Sequence, residues 1–132
     1  MPVFIDSSFV IALADEGDQF HRKAVELLTR LGKSRTISDL VLAESVTAVG
    51  ARLGSGPGKT VFDNLLYDPL VKVVFSNKRL YQRALPIFLR HGGDLSFSDA
   101  LSVRIMLDQK ITEIASFDSD FDRVEGIARA AV

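Results

Sequence analysis

Cysteine is absent from this chain and histidine occurs only twice. No disulfide framework, thiolate metal centre or cysteine nucleophile is therefore possible. His21 and His91 sit far apart among polar neighbours and are assigned no catalytic role. A Gly-x-Ser-x-Gly nucleophile elbow is missing as well. No apolar run approaches the roughly 18 to 20 residues that span a bilayer. The opening Met-Pro-Val-Phe-Ile-Asp lacks the basic region and cleavage site of a signal peptide. These absences predict a soluble, cytoplasmic protein without membrane association. Excess positive charge is also lacking: the formal net charge is −1, so the overall basic footprint of a nucleic-acid binder is not there.

What is present is an apolar chain, 47% hydrophobic over 132 residues, which excludes disorder and suits one domain (1–132) around a buried parallel sheet. Short β-branched runs alternate with helical stretches, the pattern of an α/β fold. Strands are expected at 3–5, 35–37, 71–75 and 111–115, with a weaker one near 127–130. Helices are expected at 7–14, 18–31, 39–53, 58–66, 77–90 and 97–108. Gly32, Gly54 to Gly58, Asp68-Pro69 and Gly92-Gly93 punctuate them as turns. The run Gly54-Ser55-Gly56-Pro57-Gly58-Lys59-Thr60 imitates a phosphate-binding loop. However, Leu53 stands where the first glycine is required, and the preceding segment reads as helix rather than strand. A flexible helix–helix turn, with Lys59 free to touch a phosphate, is expected instead of a nucleotide site.

Four isolated acids remain, each in an apolar context where a carboxylate needs a reason to be. Asp6 follows Val3-Phe4-Ile5, and Asp99 opens an apolar helix. Asp118 follows the strand-like 111–115, in the acid-rich loop Ser116-Phe117-Asp118-Ser119-Asp120-Phe121-Asp122. Glu44 lies opposite the stripe Leu42, Val46, Val49 and Leu53, in a row with Leu40, Ala48 and Ala51. That helix should be covered on both sides, leaving Glu44 largely unsolvated with no cation within a turn. Plain structural explanations compete. Asp6 and Asp99 both suit helix N-caps, and Ser96-Phe97-Ser98-Asp99 has capping-box spacing. Solvated turn chemistry would account for Asp118, Asp120, Asp122 and Ser116. In a parallel sheet, though, strand ends and helix starts share one edge, so the four acids can meet there. Like charges packed together imply a bound cation. The acids could thus draw together a metal site and hide a basic rim from the net charge. Arg22, Lys23, Arg30, Lys33, Arg35, Lys78, Arg79, Arg83 and Arg90 are the rim candidates, each equally consistent with an ordinary solvated helix face.

With those residues placed, the chain resembles the PIN domains, most closely the VapC ribonuclease toxins. The resemblance rests on Phe4-Ile5-Asp6-Ser7-Ser8, Glu44 in its apolar helix, Leu95-Ser96-Phe97-Ser98-Asp99-Ala100, and Ile114-Ala115-Ser116-Phe117-Asp118-Ser119-Asp120-Phe121-Asp122-Arg123-Val124. It implies a three-layer α/β/α sandwich on a central parallel sheet of four to five strands. It also implies a metal-dependent endoribonuclease carrying one or two Mg2+ or Mn2+ ions. Asp6, Glu44 and Asp99 match the three core acids, and Asp118 matches the fourth, with Asp120 the alternative. Ser7 or Ser8, together with Ser116, match the accompanying hydroxyls. Expected partners are an RNA substrate, a VapB-type antitoxin and a second copy in a homodimer; the glycine-rich 54–58 loop departs from the family pattern.

Two other readings compete. A receiver-like phospho-acceptor domain also uses strand-end aspartates and magnesium, but it needs an acidic pair after the first strand and a lysine after the last. This chain has Asp6-Ser7-Ser8 and no such lysine near Ala128. A PIN domain that binds or processes RNA as a non-catalytic or housekeeping subunit is the other. Retention of all four acids argues against it.

Overall fold

Five parallel strands form the centre of the molecule, in a computed structural model that describes residues 2–131. They are β1 (Val3–Ile5), β2 (Arg35–Ser38), β3 (Val71–Val74), β4 (Glu113–Ala115) and β5 (Ala128–Arg129), in spatial order β3-β2-β1-β4-β5. The helices are α1 (Ser7–Ala14), α2 (His21–Leu28), α3 (Asp39–Leu53), α4 (Ser55–Leu66), α5 (Lys78–Arg90) and α6 (Phe97–Gln109). The chain steps from β1 to β2 to β3 in one direction, then returns across the sheet to β4. Right-handed crossovers therefore place α1 to α4 on one face and α5 and α6 on the other. Helix packing agrees: α1 lies against α2, α3 and α4, while α5 packs on α6. This is the expected α/β/α sandwich.

The strands read as they do because both faces are covered. Val3, Phe4 and Ile5 are all buried, so β1 shows a continuous apolar run rather than alternation. Register sets Phe4 beside Ile114 and Ile5 beside Ala115, which carries Asp6 and Ser116 out together at adjacent strand ends. Strand order reverses between β1 and β4, and this is the crevice where open α/β sheets build their sites.

Two segments differ from the sequence expectation. The helix expected over 18–31 begins only at His21, because Asp15 and Asp18 turn the chain first. Asp15 Oδ1 accepts from the Gly17 amide at 2.9 Å and Asp18 Oδ1 from the Phe20 amide at 2.8 Å. The turn expected over Gly54 to Gly58 is mostly helix. Gly54 alone breaks the chain, with φ 100°, and α4 starts at Ser55. Pro57 fits within the first turn, where its missing N–H has no helical partner to lose. Gly58 is a packing residue: a Cβ there would lie 3.3 Å from Gly50 Cα and 3.4 Å from the Val46 carbonyl oxygen. The glycines let α3 and α4 cross closely. Lys59, expected to be free for a phosphate, pairs instead with Asp63 at 2.6 Å on the exposed side of α4. Gly58→Val should push the two helices apart and cost about 1–3 kcal/mol of stability in urea unfolding. Unchanged stability would show that the crossing tolerates side chains.

Candidate active site

Asp6 is the N-cap residue of α1, yet its carboxylate caps nothing. Oδ2 instead accepts from Ser116 Oγ at 2.7 Å and from Ser8 Oγ at 2.9 Å. The two serine oxygens are 3.3 Å apart, and each also receives an amide: Phe117 N–H to Ser8 and Asp118 N–H to Ser116, both at 3.0 Å. Asp6 is thus fastened to the loop after β4 through side chains rather than used to start its own helix. Burial raises its pKa above the ordinary aspartate value; the serine hydroxyls oppose that rise, and the Glu44 charge adds to it.

Asp99 sits in the first turn of α6. Ser96 caps that helix, its Oγ accepting from the Asp99 amide at 3.0 Å, so the capping reading of this tetrad holds for the serine. Burial, then the charges of Asp6, Asp118 and Glu44, push the Asp99 carboxyl up to about 7, with a Ser96 hydrogen bond acting the other way. The leading influences on Asp6 and Asp99 include no basic side chain. All four acids therefore share one electrostatic neighbourhood.

Glu44 departs from expectation in its setting. The row that carries it is open, with Ala43, Glu44 and Ala51 exposed and Leu40 and Ala48 only partly buried. The helix faces solvent on that side because α3 packs on the sheet and on α1 and α4 through Val41, Leu42, Ser45 and Val49. Glu44 reaches the site from the rim, accepting from Ser7 Oγ at 2.5 Å. Among the loop acids, Asp122 is occupied by a two-pronged pair with Arg129, at 2.8 and 2.9 Å. Asp118 is near enough for its charge to raise Asp99, and it caps the short 3-10 helix Ser119–Arg123 by accepting from the Asp120 amide at 2.9 Å. Asp120 supplies that amide and is partly buried.

Residues 3–127 match the PIN domain model. The chain belongs to the PIN domain family. This PIN domain is 30% identical over 120 residues to the 23S rRNA-specific endonuclease VapC20 of Mycobacterium tuberculosis, covering 90% of this chain and 91% of that one. It superposes on the crystal structure of the same organism's VapC20, a "Sarcin-Ricin loop cleaving toxin", with TM-score 0.84, 28% identity and 91% and 92% coverage. A toxin–antitoxin complex from Klebsiella pneumoniae shares the fold at TM-score 0.72 and 14% identity, over 96% of this chain and 95% of that one. This PIN domain is accordingly a homologue of VapC-type toxin nucleases, and the receiver-like reading falls away.

The donors of this PIN domain suit a hard divalent cation in kind and in charge: four carboxylates, two of them raised in pKa by burial and mutual repulsion. Among the described residues, no three such side chains stand close enough to hold an ion as they are placed. Uncompensated carboxylates separate, and here Asp6, Glu44 and Asp118 accept instead from serine hydroxyls or a backbone amide. Beside them lies a feature the sequence reading missed, a cleft of about 220 Å3 lined by Ser8, Ile11, Asp18, Gln19, Phe20, Arg52, Phe117 and Asp118. Arg52 comes from the far end of α3 and was absent from the expected basic rim. Its only signal in the sequence is indirect, the pair Asp15 and Asp18 that the tertiary fold brings to it.

Proposed function

We propose that this PIN domain, acting as one unit over 1–132, is a metal-dependent endoribonuclease and the toxin of a toxin–antitoxin pair. The observation that carries the reading is the shared electrostatic neighbourhood of Asp6, Glu44, Asp99 and Asp118 in a chain 30% identical to a 23S rRNA-specific endonuclease. A divalent cation, Mg2+ or Mn2+, supplies Lewis acidity for attack of water on a phosphodiester when bound. Asp6, Asp99, Glu44 and Asp118 are the residues that would hold it. Ser116 and Ser8 orient Asp6 by donating to Oδ2, while Ser7 steadies Glu44 at the rim. Products with a 5′-phosphate and a 3′-hydroxyl are expected.

The similarity to a 23S rRNA-specific endonuclease makes ribosomal RNA the first substrate to test. For the antitoxin, an apolar groove of about 820 Å3 runs between α1, α4 and the sheet face of β1 to β3, with Phe9, Leu13, Val61 and Leu65 among its walls. Such a groove suits the apolar face of a partner helix. Self-association is supported by the exposed stripe Tyr81, Leu85 and Leu89, spaced i, i+4, i+8 on α5. Among the described residues no helix is long and apolar enough to cross a membrane, and a cytoplasmic site of action belongs to the same proposal.

The test is cleavage of ribosomal and unstructured RNA by the purified chain with Mn2+ or Mg2+, against EDTA and an inactive Asp99→Asn control. Cleavage lost in both controls supports the reading. Metal-independent RNA binding without turnover would favour the non-catalytic alternative. Ser116→Ala should reduce cleavage by roughly ten- to a hundredfold without unfolding the chain, since it removes an orienting contact rather than a donor. Full activity in that variant would show that Asp6 needs no fixing.

A further inference from the structure

We propose that the cleft beside the carboxylates is a subsite for one unpaired nucleobase next to the scissile phosphate, an inference that rests on the ribonuclease reading. Position is the first argument. The cleft shares Ser8 and Asp118 with the acidic site, so whatever fills it adjoins the reacting group. Its volume of about 220 Å3 admits a single planar ring system, not a duplex.

Lining chemistry is the second. Phe20 and Phe117 both line it, their rings stacked within 3° of parallel at a centroid distance of 4.7 Å; buried Phe9 continues the stack behind Phe117 at 6.1 Å, which leaves the outer face of Phe20 as the stacking surface. Ile11 adds a further apolar surface. Unpaired RNA bases are bound by stacking on such aromatic faces, at about 1–3 kcal/mol per base. Asp18 and Asp118 make the cleft unwelcoming to a second phosphate, so a neutral ring fits better than an anion.

Readout groups are the third. Gln19 lines the cleft, is exposed, and makes no side-chain hydrogen bond with the described residues, so its amide is free to donate to and accept from a base edge. Arg52 is pinned by a single nitrogen: Nη1 donates to Asp15 Oδ2 at 3.1 Å and to Asp18 Oδ2 at 2.9 Å. Nε and Nη2 have no partner among the described residues. The guanidinium is thereby oriented in advance, with its remaining donors available at the rim. Two carboxylates fixing an otherwise exposed arginine, 45% accessible, is more order than a surface pair needs.

The experiment is sequencing of cut sites in a randomised RNA pool with Mn2+, comparing wild type with Gln19→Ala, Phe20→Leu and Phe20→Tyr. Wild type should show a base preference at one nucleotide flanking the cut. Gln19→Ala should flatten that preference, and Phe20→Leu should lower cleavage about tenfold, with Phe20→Tyr restoring it. Mn2+ affinity should be the same in all four proteins, which separates the subsite from the metal site. An unchanged preference in Gln19→Ala together with wild-type cleavage in Phe20→Leu overturns the proposal. If wild type cuts no RNA, the ribonuclease reading fails, and the subsite is decided separately by fluorescence of 2-aminopurine in single-stranded RNA. Quenching that Phe20→Leu abolishes retains the subsite; no quenching by wild type removes it.

Discussion

Asp99→Asn is expected to reduce RNA cleavage by roughly a hundredfold to a thousandfold while leaving the fold intact. The side chain is nearly isosteric, and the helix start does not depend on its carboxylate, because Ser96 does the capping through the Asp99 amide. What changes is charge. Asp99 sits among Asp6, Asp118 and Glu44 with no basic partner among its leading influences, and on the proposed reading its charge serves a bound cation. Asp6→Asn should have the same kinetic effect, with a greater risk to local order since Ser8 and Ser116 both donate to its Oδ2. The check is cleavage by each purified variant beside its circular dichroism and thermal melting. Full activity in either would remove these acids from the site, and loss of folding in Asp99→Asn would assign that residue a structural role instead.

The second large effect concerns stability. Without a divalent cation, the protein should become less stable as pH rises from about 4 to about 7. Asp99 is raised from 3.8 to about 7, so across that interval the folded chain binds a proton that the unfolded chain releases. Its stabilising contribution is complete below the unfolded value and lost as pH climbs through the folded one. Asp6, also raised, acts in the same direction. Asp18, Asp108 and Asp122 are lowered by their arginine partners and hydrogen bonds, and their contributions disappear only at more acidic pH. For Asp99 the penalty above about pH 7 is roughly 1–2 kcal/mol, once solvent screening of a partly exposed group is allowed for. Asp99→Asn should accordingly melt about 4 °C or more above wild type at about pH 8, without metal. Saturating Mn2+ should reverse that order by stabilising wild type by about 2–3 kcal/mol at a hundredfold excess over Kd. Melting curves at about pH 5 and pH 8, each with Mn2+ or EDTA, decide it. A wild type that gains stability between those two values in EDTA would contradict the electrostatic picture.

Much of this molecule is legible in local sequence. Val3-Phe4-Ile5 predicts a buried strand because it is apolar on both faces, and the short β-branched runs place all five strands within a few residues of where they lie. Ser96 and Asp99 announce the start of α6 through capping geometry, which involves only neighbours in the chain. The acids stand out for the same reason: a carboxylate at the end of an apolar run is costly wherever the run goes. Local chemistry also misleads. The glycines at 54–58 read as a loose turn, whereas Gly58 serves the approach of α4 to α3, a requirement set by a helix eight residues away.

By itself, then, the sequence determined the α/β class and the order of the elements and singled out four acids as candidates, because these follow from periodicity and from the cost of burying charge. Only the tertiary structure decided how those acids relate. Register between β1 and β4 put Ser116 on Asp6, and the open flank of α3 left Glu44 at the rim instead of in the interior. Arg129, on β5, took Asp122 in a two-pronged pair, while the Asp118 charge acts on Asp99. The cleft with Phe20, Gln19 and Arg52 is assembled from three distant segments. None of these pairings has a signature in chain spacing, since each depends on where a crossover returns the chain and on which partner is nearest when it does.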